Sequence, residues 1–424
     1  MNENGEIFLD NELIGRWESM KYELDMGEFL PNFPKIIEKL SGFTDSIRPV
    51  QYLIFKVLEG KLTNNPIFQK AHFVINAPTG SGKSLAFLII LLNSIFKKIE
   101  KNRKKPKSLI FTSSMNAAET VFKQLQNLVS GSEVRIGIMI KGKRLNCQNF
   151  DIGIFTYGSF YDEYEKYGDF SYFSELNYLV VDEADCVLPD VESTDLVEKL
   201  FQASNCRVMF CSATPSSYFD IFFESEKRHK ISIFVGSLAV SKNVKQEILK
   251  VDSGTLSKVR GFRSNDVTFY GDKCDFPLHP FDQLYKILKN LYNEEKKPKI
   301  IVFLKKRTMC NNIAARLLFS GFKAGAIHSN MNVKIQQQIM EKFSEGKYDI
   351  LVAGMLLARG FDGDIDVVIN YDLPKTYSDY VHRCGRTGRN GRKGLAYTFI
   401  DSRNPDDYNP AVVDSILKEI QKFK

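Results

Sequence analysis

Short apolar runs and longer amphipathic stretches alternate along almost the whole chain. The runs "HFVINA", "SLIFTS", "VRIGIMI", "DIGIFTY", "YLVVDEA", "RVMFCSAT" and "ISIFVG" are rich in Val, Ile and Phe and are predicted as strands. Beyond residue 240 the rhythm returns in "KIIVFLK", "AGAIHS", "DILVAG", "DVVINYD" and "LAYTFID". Between them, helical spacing predicts helices over 83–100, 116–128, 306–320 and 332–345. A strand that is apolar at consecutive positions needs cover on both faces. Such strands, separated by helices, predict an α/β fold of mostly parallel sheets with helices on both faces.

The rhythm breaks over 252–278, "DSGTLSKVRGFRSNDVTFYGDKCDFPL", where Gly, Ser, Asp and Pro accumulate. A domain junction is placed just before it, at 237–243. The first domain with its N-terminal segment then spans 1–240, and the second spans 241–424 with the irregular segment near its start. Length agrees, because 424 residues exceed what one core comfortably serves. The final segment "NPAVVDSILKEIQKFK" predicts a helix with Asn409 as its cap and Pro410 at its first position.

Composition narrows the class. At 43% hydrophobic and 26% charged, the chain is an ordinary globular one. A net charge of +7 permits a polyanionic partner without requiring it. The basic run "KKIEKNRKKPK" at 97–107 is read as a solvated helix end and loop. Seven cysteines without a C-x-x-C pair read as reduced thiols, not a disulfide frame or zinc site. The start "MNENGEIFLD" lacks the layout of a signal peptide. The longest apolar stretch, "LAFLIILLNSIF", falls short of the ~20 residues that span a bilayer. The expectation is a soluble intracellular protein without a membrane partner.

Two stretches carry the chemistry. "INAPTGSGKS" follows a predicted strand and opens a predicted helix. Glycines let backbone wrap closely around phosphate, and the helix N-terminus presents free N–H groups to it. Thr79, Gly80, Ser81, Gly82, Lys83 and Ser84 are therefore read as the nucleotide-binding loop, although Ala77 stands where the strict pattern begins with Gly. Lys83 is expected to reach the β- and γ-phosphates and Ser84 to ligate Mg²⁺. The second stretch, "YLVVDEADCVLP", ends a buried strand in Asp182, Glu183 and Asp185. A phosphate-loop NTPase places a second, acid-ended strand beside the first. Asp182 is then read as holding Mg²⁺ through water, and Glu183 as orienting and deprotonating the attacking water. Alone, acids at a strand end would mark only a turn.

Four motifs, "APTGSGKS", "VDEAD", "SAT" at 212–214 and "HRCGRTGRNGRKG" at 382–394, occur in an order that resembles the DEAD-box RNA helicases of superfamily two. The resemblance covers residues 29–424 and implies two RecA-like domains that clamp ATP between them and single-stranded RNA across both. It further implies that Gln51, in "GFTDSIRPVQ", reads adenine, whose donor and acceptor edge an amide matches. Phe29 or Phe33 would stack on the base. Ser212 and Thr214 would hydrogen-bond the acidic strand end, Asp185 included, and His382, coupling the domains. Arg383, Arg386 and Arg389 crowd within one loop and repel one another unless an anion sits among them. Arg386 and Arg389 are read as arginine fingers on ATP, catalytic together with Lys83, Asp182 and Glu183. In "ARGFD", Asp362 would bind the ribose.

Departures from the family pattern gather on the side implied to face RNA. "SSMNAA" at 113–118 puts Met115 where arginine is usual, and "TYGS" at 156–159 puts Ser159 there. The double-glycine element is reduced to "KGK" at 141–143, and Gly354-Met355 replaces Thr-Asp. Lys141 or Lys143 is a candidate to compensate. The expectation is an ATP-dependent RNA helicase using ATP and Mg²⁺, monomeric by itself and helped by a protein partner or ribonucleoprotein assembly. "MLLARGFD" hints at ribosome assembly, and the expected place is the nucleus or nucleolus, or the cytoplasm. The alternatives are an ATP-binding RNA clamp or scaffold with weak unwinding, and a DNA-acting relative.

Overall fold

The computed structural model describes residues 5–10, 12–17, 48–59, 65–78, 80–97, 105–145, 149–167, 170–214, 216–224, 228–235, 240–241, 243–254, 277–293, 297–354, 357, 363, 365–389, 392–401, 403–404 and 408–422. The chain divides into two compact units, Met1–Ala239 and Val240–Lys424.

The first unit is built on one sheet. Its strands are β1 (Gly5–Leu9), β2 (Glu12–Trp17), β3 (His72–Asn76), β4 (Ser108–Thr112), β5 (Ile136–Ile140), β6 (Lys143–Leu145), β7 (Ile152–Thr156), β8 (Tyr178–Asp182), β9 (Arg207–Ser212) and β10 (Lys230–Val235). They lie in the order β2-β1-β10-β3-β9-β8-β4-β7-β5-β6. From β10 through to β5 each pairing is parallel, while β1, β2 and β6 join antiparallel at the edges. Alternate residues of the central strands serve opposite cores. Ile110, Val180 and Met209 pack with the helices Pro49–Glu59, Lys83–Lys97 and Met115–Val129. Leu109, Phe111, Leu179, Val181, Val208 and Phe210 pack with the helices Val191–Ser204 and Ser217–Glu224. Continuous apolar strands thus have helices on both faces, as their composition requires.

The second unit has six strands, all parallel: β11 (Val244–Lys250), β12 (Ile300–Phe303), β13 (Ala324–Ile327), β14 (Ile350–Ala353), β15 (Val367–Asn370) and β16 (Gly394–Ile400). Their order is β11-β16-β15-β12-β14-β13. Ile300, Val302, Ile350 and Val352 face the helices Pro280–Leu291 and Arg307–Phe319, and Ile301, Phe303 and Leu351 face Val333–Ser344. The helix Pro410–Lys422 starts as expected, with Oδ1 of Asn409 accepting from the Ala411 N–H at 3.1 Å.

The strands that pattern reading missed are those at the edges. β11 carries Lys245, Gln246 and Glu247 in succession, β6 has no buried residue, and β1 buries only Ile7 and Leu9 among residues 6–9. An edge strand is half-solvated, so it lacks the continuous apolar run that marks a central one. Of the irregular segment 252–278, residues 255–276 lie outside the described residues, as do 98–104 of the basic run. Lys105 and Lys107 at the end of that run bond Ser174 Oγ at 2.9 Å and Glu175 at 2.5 Å. Cys186, Cys206, Cys211, Cys310 and Cys384 are free thiols, and Cys147 and Cys274 lie outside the described residues. Among the described residues no helix is long and apolar enough to cross a membrane.

His72 opens β3 and is buried between the rings of Phe201 and Phe223. Its Nδ1 accepts the backbone N–H of Val208 at 2.9 Å, which requires the neutral ring. Burial, followed by the charges of Arg228, Arg207 and His229, pushes its pKa down to about 4. A folded-state pKa below the unfolded value near 6.5 gives stability that is complete above that value and lost as pH falls toward 4. This group accounts for a loss of ~3 kcal/mol across the window. His72→Asn keeps an acceptor but cannot titrate. Urea unfolding midpoints should therefore fall less steeply from pH 7 to pH 4.5 in His72→Asn than in the wild type, and equal slopes would exclude this role.

Candidate active site

The stretch "INAPTGSGKS" forms a turn between β3 and the helix Lys83–Lys97. Gly80 and Gly82 have φ of 77° and 91°, left-handed values that a Cβ resists. At Gly82 a Cβ would also lie 2.6 Å from Nε2 of Gln51. Left-handed glycines leading into a helix N-terminus form a backbone cradle of the kind that holds anions. The carbonyls of the turn are tied down by side chains. Nζ of Lys83 donates to Ala77 O at 2.5 Å and Pro78 O at 2.9 Å, and Nη1 of Arg48 donates to Gly80 O. Gln51 is buried, with Oε1 accepting from Arg48 N at 3.1 Å and Nε2 lying 3.5 Å from Gly82 O. Ser81 Oγ is buried without a partner, a state that suits a ligand bearing further acceptors. Ser84 is the second residue of the helix, half-buried beside this cradle. Thr79, Phe29 and Phe33 lie outside the described residues.

Asp182 ends β8 and Glu183 and Asp185 follow it, but the strand is not where sequence reasoning put it. β9 runs between β3 and β8, so the acid-ended strand is the second neighbour of the phosphate-loop strand. Asp182 pairs in register with Cys211, and Asn76 with Ser212. Asp182 is buried and accepts from Glu183 N at 3.0 Å. Burial first, then the charge of Glu183, raises its pKa to about 7, while Lys83 opposes the rise. Burial lowers the Lys83 pKa, and Asp182, Cys211, Asp185 and Glu183 act against that. A buried carboxylate and a serine hydroxyl, the groups that Asp182 and Ser84 offer, are hard-oxygen donors of the kind that suits a divalent cation such as Mg²⁺.

Glu183 adopts φ 53°, ψ 44°, the left-handed region that a non-glycine residue rarely occupies. The Ser113 hydroxyl, just past β4, donates to its carboxylate. Strain of this kind persists only where surrounding contacts over-determine it, and it collects at functional sites. Asp185 accepts from Oγ1 of Thr214, joining the acid-bearing turn to the end of β9. Ser212 departs from expectation. Its hydroxyl donates to Thr214 O at 2.6 Å and accepts from Thr214 N at 3.0 Å, so it shapes its own turn instead of reaching the acids. Sequence reasoning also missed Arg48 and Ser113. Nothing in their spacing signals contact with residues 32 and 70 positions away.

In the second unit the crowded arginines prove to be separately compensated. Arg383 is buried, with Nη1 3.4 Å from Asp372 Oδ1 and its guanidinium 5.5 Å from the Phe303 ring centre. It is a structural cation, which corrects its reading as one of three free charges awaiting an anion. Arg386 Nε donates to His382 O at 3.2 Å and Arg389 Nε to Gly385 O at 2.9 Å. These carbonyls end the helix Tyr377–Cys384, where the helix dipole favours cations. His382 is buried on that helix. Asp362 lies outside the described residues.

A profile of the DEAD/DEAH box helicases matches residues 58–221, and one of the helicase conserved C-terminal domain matches residues 281–391. The RNA helicase RhlB of Shewanella woodyi is 28% identical over 374 residues, covering 85% of this chain and 76% of that protein. The chain belongs to the DEAD-box family of ATP-dependent RNA helicases. The helicase glh-4 of Caenorhabditis elegans is 27% identical over 84% of this chain, which spans 31% of that longer protein. In fold, this DEAD-box chain resembles S. cerevisiae Dbp5 bound to RNA and ADP BeF3 (TM-score 0.69, 19% identity, 93% of each chain). It likewise resembles Mss116p bound to ssRNA and AMP-PNP (TM-score 0.71, 19% identity, 91% of this chain and 76% of that one).

The departures of this DEAD-box protein take a physical form. Met115 is half-buried at the start of its helix and packs on the first unit's core, so it is a packing residue and not a vacant phosphate contact. Ser159 is half-buried in the first turn of the helix Tyr157–Tyr167, its Oγ accepting from Thr156 Oγ1 at 3.0 Å. "KGK" is the tip of the β5–β6 hairpin, with Gly142 at φ 82°. Lys143 there lies 3.7 Å from Glu119 and 5.3 Å from the Phe122 ring centre, while Lys141 is exposed. Gly354 is buried, and Met355 lies outside the described residues.

The strained, serine-braced Glu183 yields a prediction. Glu183→Gln should bind ATP as the wild type does yet turn over at least ~100-fold more slowly, the usual cost of losing a general base. Lys83→Ala should weaken ATP binding itself. Wild-type turnover in purified Glu183→Gln would refute the role of the acid.

Proposed function

We propose that this helicase opens short RNA duplexes or remodels RNA–protein contacts, acting as a monomer whose grip on RNA is completed by a partner protein or ribonucleoprotein assembly. In this reading the loop 77–84 with Lys83 holds the triphosphate of ATP. Ser84 and Asp182 hold Mg²⁺, partly through water. Glu183 orients and deprotonates the attacking water, Gln51 reads adenine and Asp362 binds the ribose. Arg386 and Arg389 act on transition-state charge, and Asp185, Thr214 and His382 relay nucleotide state, with Ser212 shaping the turn. The observation that carries the reading is Glu183, held left-handed between Asp182 and the Ser113 hydroxyl. An acid so constrained at a strand end serves chemistry and not only solvation.

RNA as the substrate is supported by relatives named as RNA helicases. Pre-ribosomal RNA is supported more narrowly, by Leu356 and Leu357 ahead of Ala358. A second reading, an ATP-driven RNA clamp with weak unwinding, is favoured by the packing role of Met115 and by Lys143 facing Glu119. Single-stranded RNA, but not DNA of the same sequence, should stimulate ATP hydrolysis. At saturating ATP and RNA, Arg389→Ala should lower kcat, by up to ~10³-fold if it acts as a full arginine finger. Unchanged kcat would remove Arg389 from the catalytic set.

The departures suggest how RNA affinity can be restored. Ser159→Arg should tighten RNA binding and steepen its salt dependence by ~0.7 in log–log slope for one added phosphate contact on single strands. Met115→Arg should instead destabilise the first unit by ~1–3 kcal/mol, because it forces a cation into a packed position. Filter binding across a salt series, with thermal melts, distinguishes the two. An unaltered salt slope in Ser159→Arg counts against a phosphate path at that position.

A further inference from the structure

We propose that Arg48 is a positioning residue of the phosphate loop: it locks the peptide between Gly80 and Ser81 and ties the loop to the helix that carries Gln51. The proposal rests on the assignment of residues 77–84 to ATP phosphate binding.

Both the main chain and the side chain of Arg48 are engaged. Its carbonyl accepts from the N–H groups of Gln51 and Tyr52, each at 3.0 Å, which fixes it at the entry to the helix Pro49–Glu59. Its own N–H donates to Oε1 of Gln51 at 3.1 Å, which orients that amide with its Nε2 toward Gly82 O. Its guanidinium crosses to Gly80 O. Its stem also lies against the loop, since a Cβ on Gly82 would fall 3.1 Å from Cδ of Arg48. One residue therefore touches the loop at both of its left-handed glycines and orients the neighbouring glutamine.

The consequence follows from peptide geometry. In a planar trans peptide the carbonyl and the next N–H point in opposite directions. Holding Gly80 O on the guanidinium therefore directs the Ser81 N–H away from Arg48, and it meets Pro78 O at 3.2 Å within the turn. Glycine permits the reverse orientation at little steric cost. A reversed peptide would set the Gly80 carbonyl against Pro78 O, repelling it and breaking the bond that closes the turn on which phosphate binding depends. A charged donor on Gly80 O selects against that state, because hydrogen bonds to ionised groups are roughly twice as strong as neutral ones. Lys83 does the same for Ala77 O and Pro78 O, so two cations hold three carbonyls of the loop.

The test uses the full chain, a fluorescent ADP analogue with Mg²⁺, and steady-state ATP hydrolysis at saturating RNA. Arg48→Ala should raise the Kd for the analogue about tenfold, equivalent to about 1.4 kcal/mol. KM for ATP should rise in parallel, with kcat held within about twofold and the thermal melt unchanged. Arg48→Lys, which retains a charged donor, should recover most of the affinity. Lys83→Ala separates the two levels of inference: if it leaves analogue binding intact, the phosphate-loop reading itself falls and the proposal with it. If Lys83→Ala weakens binding and Arg48→Ala does not, the lock alone is overturned. A binding defect in Arg48→Ala that Arg48→Lys fails to rescue and that comes with a lowered melt also overturns it, leaving Arg48 a merely structural residue.

Discussion

Parallel pairing of β3, β9, β8 and β4 is the constraint from which the rest of the site follows. Parallel strands finish on the same edge of a sheet, so whatever chemistry their final residues bear is delivered to one place. Here that edge receives the glycine turn after β3, Ser212 at the end of β9, Asp182 at the end of β8 and Ser113 just past β4. These residues come from four separate stretches, with 136 positions between β3 and β9 partners such as His72 and Val208. The sheet can hold them together only because both its faces are sealed by apolar side chains. Removing that cover would expose ladders that have no other means of support.

Gathering charge at a buried edge has an electrostatic cost, and the local geometry answers it. Burial and the charges of Glu183 and Asp185 raise the proton affinity of Asp182, and Lys83 stands against them. Thr214 and Ser113 add hydroxyl donors to Asp185 and Glu183. Such a network is poised, because adding a cation or a polyanion changes the balance of every member. Glu183 is also held in a backbone conformation that its side chain disfavours, which limits the directions in which its carboxylate can face. The same few contacts thus hold the turn rigid and keep its carboxylates together.

The second unit solves the opposite problem, that of excess positive charge. Its arginines are stabilised by Asp372 and by carbonyls at the end of one helix. Asp372 and Phe303 make Arg383 part of the core architecture, while Arg386 and Arg389 engage neutral carbonyls through Nε. Arg383 thus meets a carboxylate, whereas Arg386 and Arg389 meet backbone carbonyls at the end of the helix.

Central strands, their helices and the phosphate loop were legible in the sequence, because burial on two faces demands continuous apolar runs and phosphate wrapping demands glycine. β3, β8, β12 and β14 needed nothing beyond composition, and "GSGKS" suggested a phosphate loop by residue type and spacing, while "DEAD" gained meaning only beside it. The strands β1, β6 and β11, at or next to the sheet edges, were not legible, since half-solvated strands carry mixed residues that spacing cannot distinguish from loops. Nor was strand order, which placed β9 between β3 and β8 and is set by packing between distant segments. The tertiary structure alone decided that Arg48 braces Gly80, that Ser113 holds Glu183, that Arg383 belongs to the core and that Met115 packs inward. A sequence specifies which groups are available and with what local periodicity. Which of them meet depends on long-range contacts, and these exist only once the sheet has formed.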